Sequence, residues 1–72
     1  MTIEDLHILN KIDAQLNTSD PEIRFGNGAG ITDYPMGMYC IYTPDQGFGE
    51  GTVCNDEAVV KFYRDNIKYG IQ

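Results

Sequence analysis

Residues 26–51, GNGAGITDYPMGMYCIYTPDQGFGEG, hold seven of the chain's eight glycines, and their reading decides the fold. Met36–Thr43 is rich in aromatic and branched residues and reads as a central β-strand. Pro44-Asp45-Gln46-Gly47 after it reads as a four-residue hairpin loop, with proline fixing φ at the first position and glycine taking the left-handed one at the last. That loop length sets a register of Thr43 opposite Phe48, Tyr42 opposite Gly49, Ile41 opposite Glu50, Cys40 opposite Gly51, Tyr39 opposite Thr52 and Met38 opposite Val53. Cys40 and Tyr42 then lie over glycines, with space there for an aromatic ring or a close helix. Cys40 and Cys54 fall on opposite faces, so no disulfide is expected.

Upstream, Glu22-Ile23-Arg24-Phe25 alternates polar and apolar and runs into Gly26-Asn27-Gly28, where Asn-Gly suits a type I′ turn. The return arm is Ala29–Asp33, or else a wide loop, because Ala29-Gly30 offers little to pack. Tyr34-Pro35 ends the ladder. The sheet therefore has three or four antiparallel strands.

A helix flanks each end of this sheet. Thr2 with Asp5 makes a variant capping box, and Leu6, Leu9, Ile12 and Leu16 share one face at 100° per residue, with Ile8 at its margin. That helix spans residues 3–16 and stops before Asn17-Thr18-Ser19-Asp20-Pro21. Asn55 caps the second helix, where Asp56 and Glu57 meet the positive end of the helix dipole. Val59, Val60, Tyr63 and Ile67 form its apolar face with Phe62 at the edge, Glu57 and Lys61 make an i,i+4 pair, and Gly70 closes it. The expected fold is one α+β domain over residues 1–72, with both helices on one sheet face and the other left to solvent or a partner.

Chemistry-bearing patterns are few. Gly26–Gly30 lacks the following helix of a dinucleotide loop, and Gly47-Phe48-Gly49-Glu50-Gly51 enters a strand. No calcium-loop spacing or paired Cys/His ligand set occurs, so neither metal nor cofactor is expected. His7 falls on the polar side of the first helix, without a neighbouring nucleophile. Paired carboxylates for glycoside hydrolysis are formally available, but an 8.1 kDa chain offers little wall for a substrate cleft.

Charge is more telling. Residues 1–57 hold ten acids and two bases, against one acid and three bases in residues 58–72, and the whole chain carries −6. A field of that sign repels nucleic acid and anionic membrane and favours a basic protein surface. Lys61, Arg64 and Lys68 make only one short basic stripe. The longest apolar run, Met38–Tyr42, is far short of a membrane span, and the N-terminus lacks the features of a signal peptide, so a cytoplasmic protein is expected.

Size, layout and charge over the whole chain resemble those of small phage-encoded inhibitors of host defence, including some anti-CRISPR proteins that present carboxylates where a nuclease expects phosphates. The resemblance implies a DNA-mimic inhibitor and carries no site residue with it. The first expectation is thus a non-enzymatic binding protein acting on a basic, nucleic-acid-handling partner such as a nuclease. Its contact candidates are Asp20, Glu22, Asp33, Tyr34, Tyr42, Asp45 and Glu50, since carboxylates steer encounters and tyrosines make favoured hot spots. The alternatives are an assembly module that pairs with itself through the uncovered face or a strand edge, and a small ligand carrier or enzyme centred on His7; the chain is expected to be a monomer or, in the self-pairing case, a homodimer.

Overall fold

A computed structural model of the chain describes residues 1–46 and 50–72. Helix α1 (Ile3–Leu16) opens with the expected capping box: the Asp5 amide donates to Thr2 Oγ1 and the Thr2 amide to Asp5 Oδ2, both at 3.1 Å. Four strands follow, β1 (Glu22–Arg24), β2 (Gly30–Tyr34), β3 (Met38–Tyr42) and β4 (Thr52–Cys54), and helix α2 (Asp56–Asn66) comes last. They form one antiparallel sheet in the order β1-β2-β3-β4, so the strand read as central lies inside it.

Period-two alternation sorts the sheet into two faces. Ile23, Ile31 and Tyr39 point toward the helices and pack with Ile12, Leu16, Val59, Val60 and Tyr63. At the centre is Phe25, fully buried, its ring edge-on to Phe62 at 6.3 Å and to Tyr63 at 5.8 Å. Helices and core thus occupy one side. The opposite face carries rows in which Glu22 meets Thr32, Thr32 meets Cys40 and Cys40 meets Val53, while Tyr34 meets Met38.

Two distant contacts tie helices to the rest. Arg64 Nη2 of α2 pairs with Asp5 Oδ1 at 2.5 Å and reaches Glu4 Oε1 at 3.5 Å. The Thr2 amide, assisted by Arg64 and opposed by partial desolvation, holds the Asp5 carboxyl below its usual range. From β3, Tyr39 Oη donates to Asp13 Oδ1 of α1 at 2.5 Å. Burial, then this bond and the charges of Asp13, Asp56 and Asp33, push the Tyr39 phenol far above its ordinary value of 10.0.

A phenol whose pKa is raised by folding contributes stability that is complete below the unfolded value, near 10, and is lost as pH rises beyond it. The urea midpoint of the wild type is therefore expected to fall above about pH 10. Tyr39→Phe should lower stability at neutral pH by about 1.5 kcal/mol, the scale of a bond to a charged acceptor, and should make that alkaline fall shallower. Unfolding curves at pH 7.5 and 10.5 check both; an unchanged alkaline slope would remove Tyr39 as its source.

Several local expectations are corrected. The β1–β2 loop is not a type I′ turn at Asn27-Gly28. Gly28 donates to the Phe25 carbonyl at 3.0 Å, Phe25 donates to the Ala29 carbonyl at 2.8 Å, and of Gly26, Asn27 and Gly28 only Gly28 has positive φ, at 94°. This is a three-residue loop ending in a left-handed glycine, which the Asn27 side chain stabilises by accepting from the Ala29 amide at 3.1 Å. The left-handed pair falls instead between β2 and β3, where Pro35–Gly37 makes a single tight turn. Met36 has φ 66° and ψ 29°, Gly37 has φ 74°, and the Met38 amide donates to the Pro35 carbonyl, the arrangement of a type I′ turn. Asparagine, aspartate or glycine ordinarily holds the Met36 position; another side chain there crowds its own carbonyl at a cost of about 1 kcal/mol.

The β3–β4 register is also corrected. Tyr39 pairs with Cys54, Cys40 with Val53 and Ile41 with Thr52, two residues beyond the expected register. In this register Gly51 lies against the Tyr42 ring and Cys40 Sγ, where a side chain would collide; at the head of the connection the Gln46 amide donates to the Thr43 carbonyl at 3.0 Å, and the Thr43 amide donates to Gln46 Oε1 at 3.0 Å. The expected pairing of Phe48 and Gly49 lies outside the described residues. A shift of two preserves side-chain parity, so Cys54 joins the core face, Cys40 faces away, and both are free thiols. In α2, Lys61 pairs forward with Asp65 at 2.9 Å instead of back with Glu57.

Past α2, Ile67–Tyr69 adds a 3₁₀ turn, and Gly70, with φ 78°, lets the chain leave it. The last residues then run along the outer edge of β1: Ile71 bridges Phe25, Gly26 donates to the Gly70 carbonyl at 2.9 Å and Gln72 to the Arg24 carbonyl at 2.8 Å. A side chain at Gly26 would collide with the Tyr69 carbonyl. Among the described residues no strand lies on the outer edge of β4. No helix there is long and apolar enough to cross a membrane.

Candidate protein-binding face

On the face that the helices leave open, a concavity of about 460 Å³ is lined by Asp20, Pro21, Glu22, Thr32, Asp33 and Tyr42. Its walls follow from the hairpin. Glu22 is paired with Thr32, so the residues that lead into β1, Asp20 and Pro21, arrive beside the end of β2 where Asp33 sits. Pro21 cannot continue a helix or donate to the ladder, which makes it a natural entry point for an edge strand.

Tyr42 forms the floor. It is buried, lies outside the helix-facing core, and its Oη is 3.2 Å from Thr32 Oγ1. The Thr32 contact alone would lower the Tyr42 phenol, but Cys40, burial and the Glu22 charge together outweigh it and raise the pKa. On the flank, Gly51 admits the ring: a side chain there would strike Tyr42 and come within 2.6 Å of Cys40 Sγ. At Gly51 the expected space is thus filled by these two side chains.

Of the seven contact candidates, Asp20, Glu22, Asp33 and Tyr42 meet at this concavity. Tyr34, 45% exposed, stands one row beyond it on the same face, toward the β2–β3 turn. Asp45 is elsewhere, held in its own turn by the Thr43 hydroxyl at 2.6 Å, a bond that with its own backbone amide draws the carboxyl below its usual range. Glu50 is exposed, and it too does not line the concavity. Sequence reasoning missed Thr32 and Pro21; the pairing of Glu22 with Thr32 would have found the first, had the hairpin loop been read as three residues.

Four of the five basic side chains have intramolecular neighbours: Arg64 and Lys61 pair with carboxylates, Lys68 lies 5.3 Å from the centre of the Tyr69 ring, and Arg24 reaches Glu22 at 3.5 Å. His7 is exposed on α1, on the other layer of the molecule from the concavity. Burial, and then Cys40, raise the Cys54 thiol, which makes it a poor nucleophile at neutral pH. Among the described residues no group of three or more His, Cys, Asp or Glu is arranged to hold a metal ion. What the concavity offers is the acidic residues Asp20 and Glu22, a sunken phenol and an apolar margin, with Asp33 at its rim, where strand alternation turns its side chain to the Tyr39 side. Comparison with known proteins finds no matching family model, curated protein or solved structure.

Proposed function

We propose that this chain is a non-enzymatic binding protein that sets the open face of its sheet against the basic surface of a nucleic-acid-handling protein and so inhibits or modulates it. The observation that carries the reading is that Asp20, Glu22 and Asp33 all border one concavity beside the β1–β2 pair. Carboxylates spaced along a sheet edge can occupy sites where a basic protein expects phosphates, and their summed field raises the encounter rate. A phage anti-defence inhibitor of the anti-CRISPR or DNA-mimic type is the finer form of this reading, supported by size and the charge of −6.

The tagged chain is expected to retain a basic nucleic-acid enzyme from a host lysate at low salt and to release it near 0.5 M salt, where the screening length falls to a few ångströms. Replacing Asp20, Glu22 and Asp33 together by lysine should weaken that binding more than tenfold. Unchanged affinity in the triple variant would end the reading.

A second reading, self-association, is favoured by Val53, 42% exposed on the same face, together with the edge of β4, on which no strand lies among the described residues. Sedimentation separates the two, because a mass of 8.1 kDa independent of concentration removes self-association.

A further inference from the structure

Met36 combines two features that give the free chain nothing. It occupies the first left-handed position of a type I′ turn, at φ 66° and ψ 29°, and it is 97% exposed. A loop selected only to join β2 to β3 would carry asparagine, aspartate or glycine there, which are favoured at that φ and agreeable to water. A methionine that contributes no burial and accepts a strained backbone finds its use outside the chain. Left-handed non-glycine residues gather at binding sites and clamps, and methionine is the adaptable apolar side chain that interfaces favour.

Its surroundings state what it would meet. Tyr34 and Met38 are cross-strand partners directly below the turn, one exposed and one half-buried, so the tip is an apolar knob with a tyrosine at its base. The next row of the same face holds Thr32 with Glu22, and hence the margin of the acidic concavity. Knob and carboxylates form one continuous surface.

We propose that Met36 is the apolar anchor of the interface, inserting into an apolar socket that lysines or arginines border on a basic protein partner. The inference rests on the proposed function and adds a division of labour to it. Asp20, Glu22 and Asp33 govern approach and salt sensitivity, whereas Met36 governs how long the complex lasts.

The probe is the basic protein retained by the wild-type chain at low salt, identified, purified and titrated against variants at 0.15 M salt. Met36→Gly is expected to raise the melting temperature of the free chain, because glycine accepts the left-handed backbone, and to weaken binding at least tenfold through faster dissociation. Met36→Asn should behave alike, and Met36→Leu should bind within threefold of wild type. The salt dependence should keep its slope in Met36→Gly and flatten in the Asp20/Glu22/Asp33 lysine variant. If Met36→Gly binds within twofold of wild type while the lysine variant loses binding, the anchor is overturned and the acidic face stands. A lower melting temperature in Met36→Gly would likewise overturn the anchor, by giving Met36 a role in folding. If neither set of variants changes binding, or no protein is retained, both readings fall.

Discussion

Phe25→Ala is expected to bring the chain close to unfolding at room temperature. A domain of 72 residues has a total stability of roughly 4–11 kcal/mol, and removing a fully buried phenylalanine costs about 3–5 kcal/mol. Two features place Phe25 at the upper end. Its ring is edge-on to both Phe62 and Tyr63, so both aromatic contacts go with it, and its position is the one where the C-terminal residues bridge to the sheet. The melting temperature should fall on the order of 20 °C, with loss of the near-ultraviolet signal of the tyrosines at a lower temperature than in the wild type. A loss below about 1.5 kcal/mol by urea titration would mean that Phe62 and Tyr63 close over the gap, and that the core is less tightly determined than the ring geometry indicates.

Gly51→Ala should produce the second large effect, from the opposite cause. The site has no room: an added Cβ would sit 2.6 Å from Cys40 Sγ and against the Tyr42 ring. Tyr42 is buried, with its hydroxyl beside Thr32, so it cannot swing aside without giving up that contact and the floor of the concavity. Overpacking of this kind costs about 2 kcal/mol. Since the crowding belongs to a pair, Tyr42→Ala together with Gly51→Ala should cost clearly less than the sum of the two single variants, by 1 kcal/mol or so. Additive losses would show that Gly51 is required for its own backbone rather than for the ring beside it.

How far the sequence foretold this molecule depends on the distance over which each decision is made. Helix α1 was legible to the residue, because Thr2 and Asp5 settle its start three positions apart and Asn17–Pro21 its end. The parity of β3 and β4 was legible although their register was not. Parity depends only on alternation along each strand, whereas register depends on how many residues the connection takes up, which the local turn signal at residues 44–47 did not fix. The left-handed turn at Met36-Gly37 was passed over because asparagine before glycine at residues 27 and 28 carries the stronger local signal. Contacts between residues far apart were out of reach: Tyr39 to Asp13 spans 26 positions and Arg64 to Asp5 spans 59. The candidate face shows the same division. The residue types could be picked from charge and aromaticity, but the meeting of Asp20 with Asp33 waits on the β1–β2 pairing, and Asp45 and Glu50 fell away from the concavity for the same reason.

The run of residues 70–72 along β1 has a consequence for what assemblies this sheet permits. A sheet with two bare edges can add copies at both ends and grow without limit; a sheet with one can only be completed once. Here residues 70–72 cover the β1 side at residues 24–26, and among the described residues nothing pairs with the outer side of β4. Strand pairing between copies is therefore expected to join β4 to β4 about a two-fold axis and to stop at a pair, because the short run beside β1 leaves only a brief, broken edge at the outer ends. Fibres would require that cover to open first. The backbone passage that bars a side chain from Gly26 is, in this sense, what limits polymerisation.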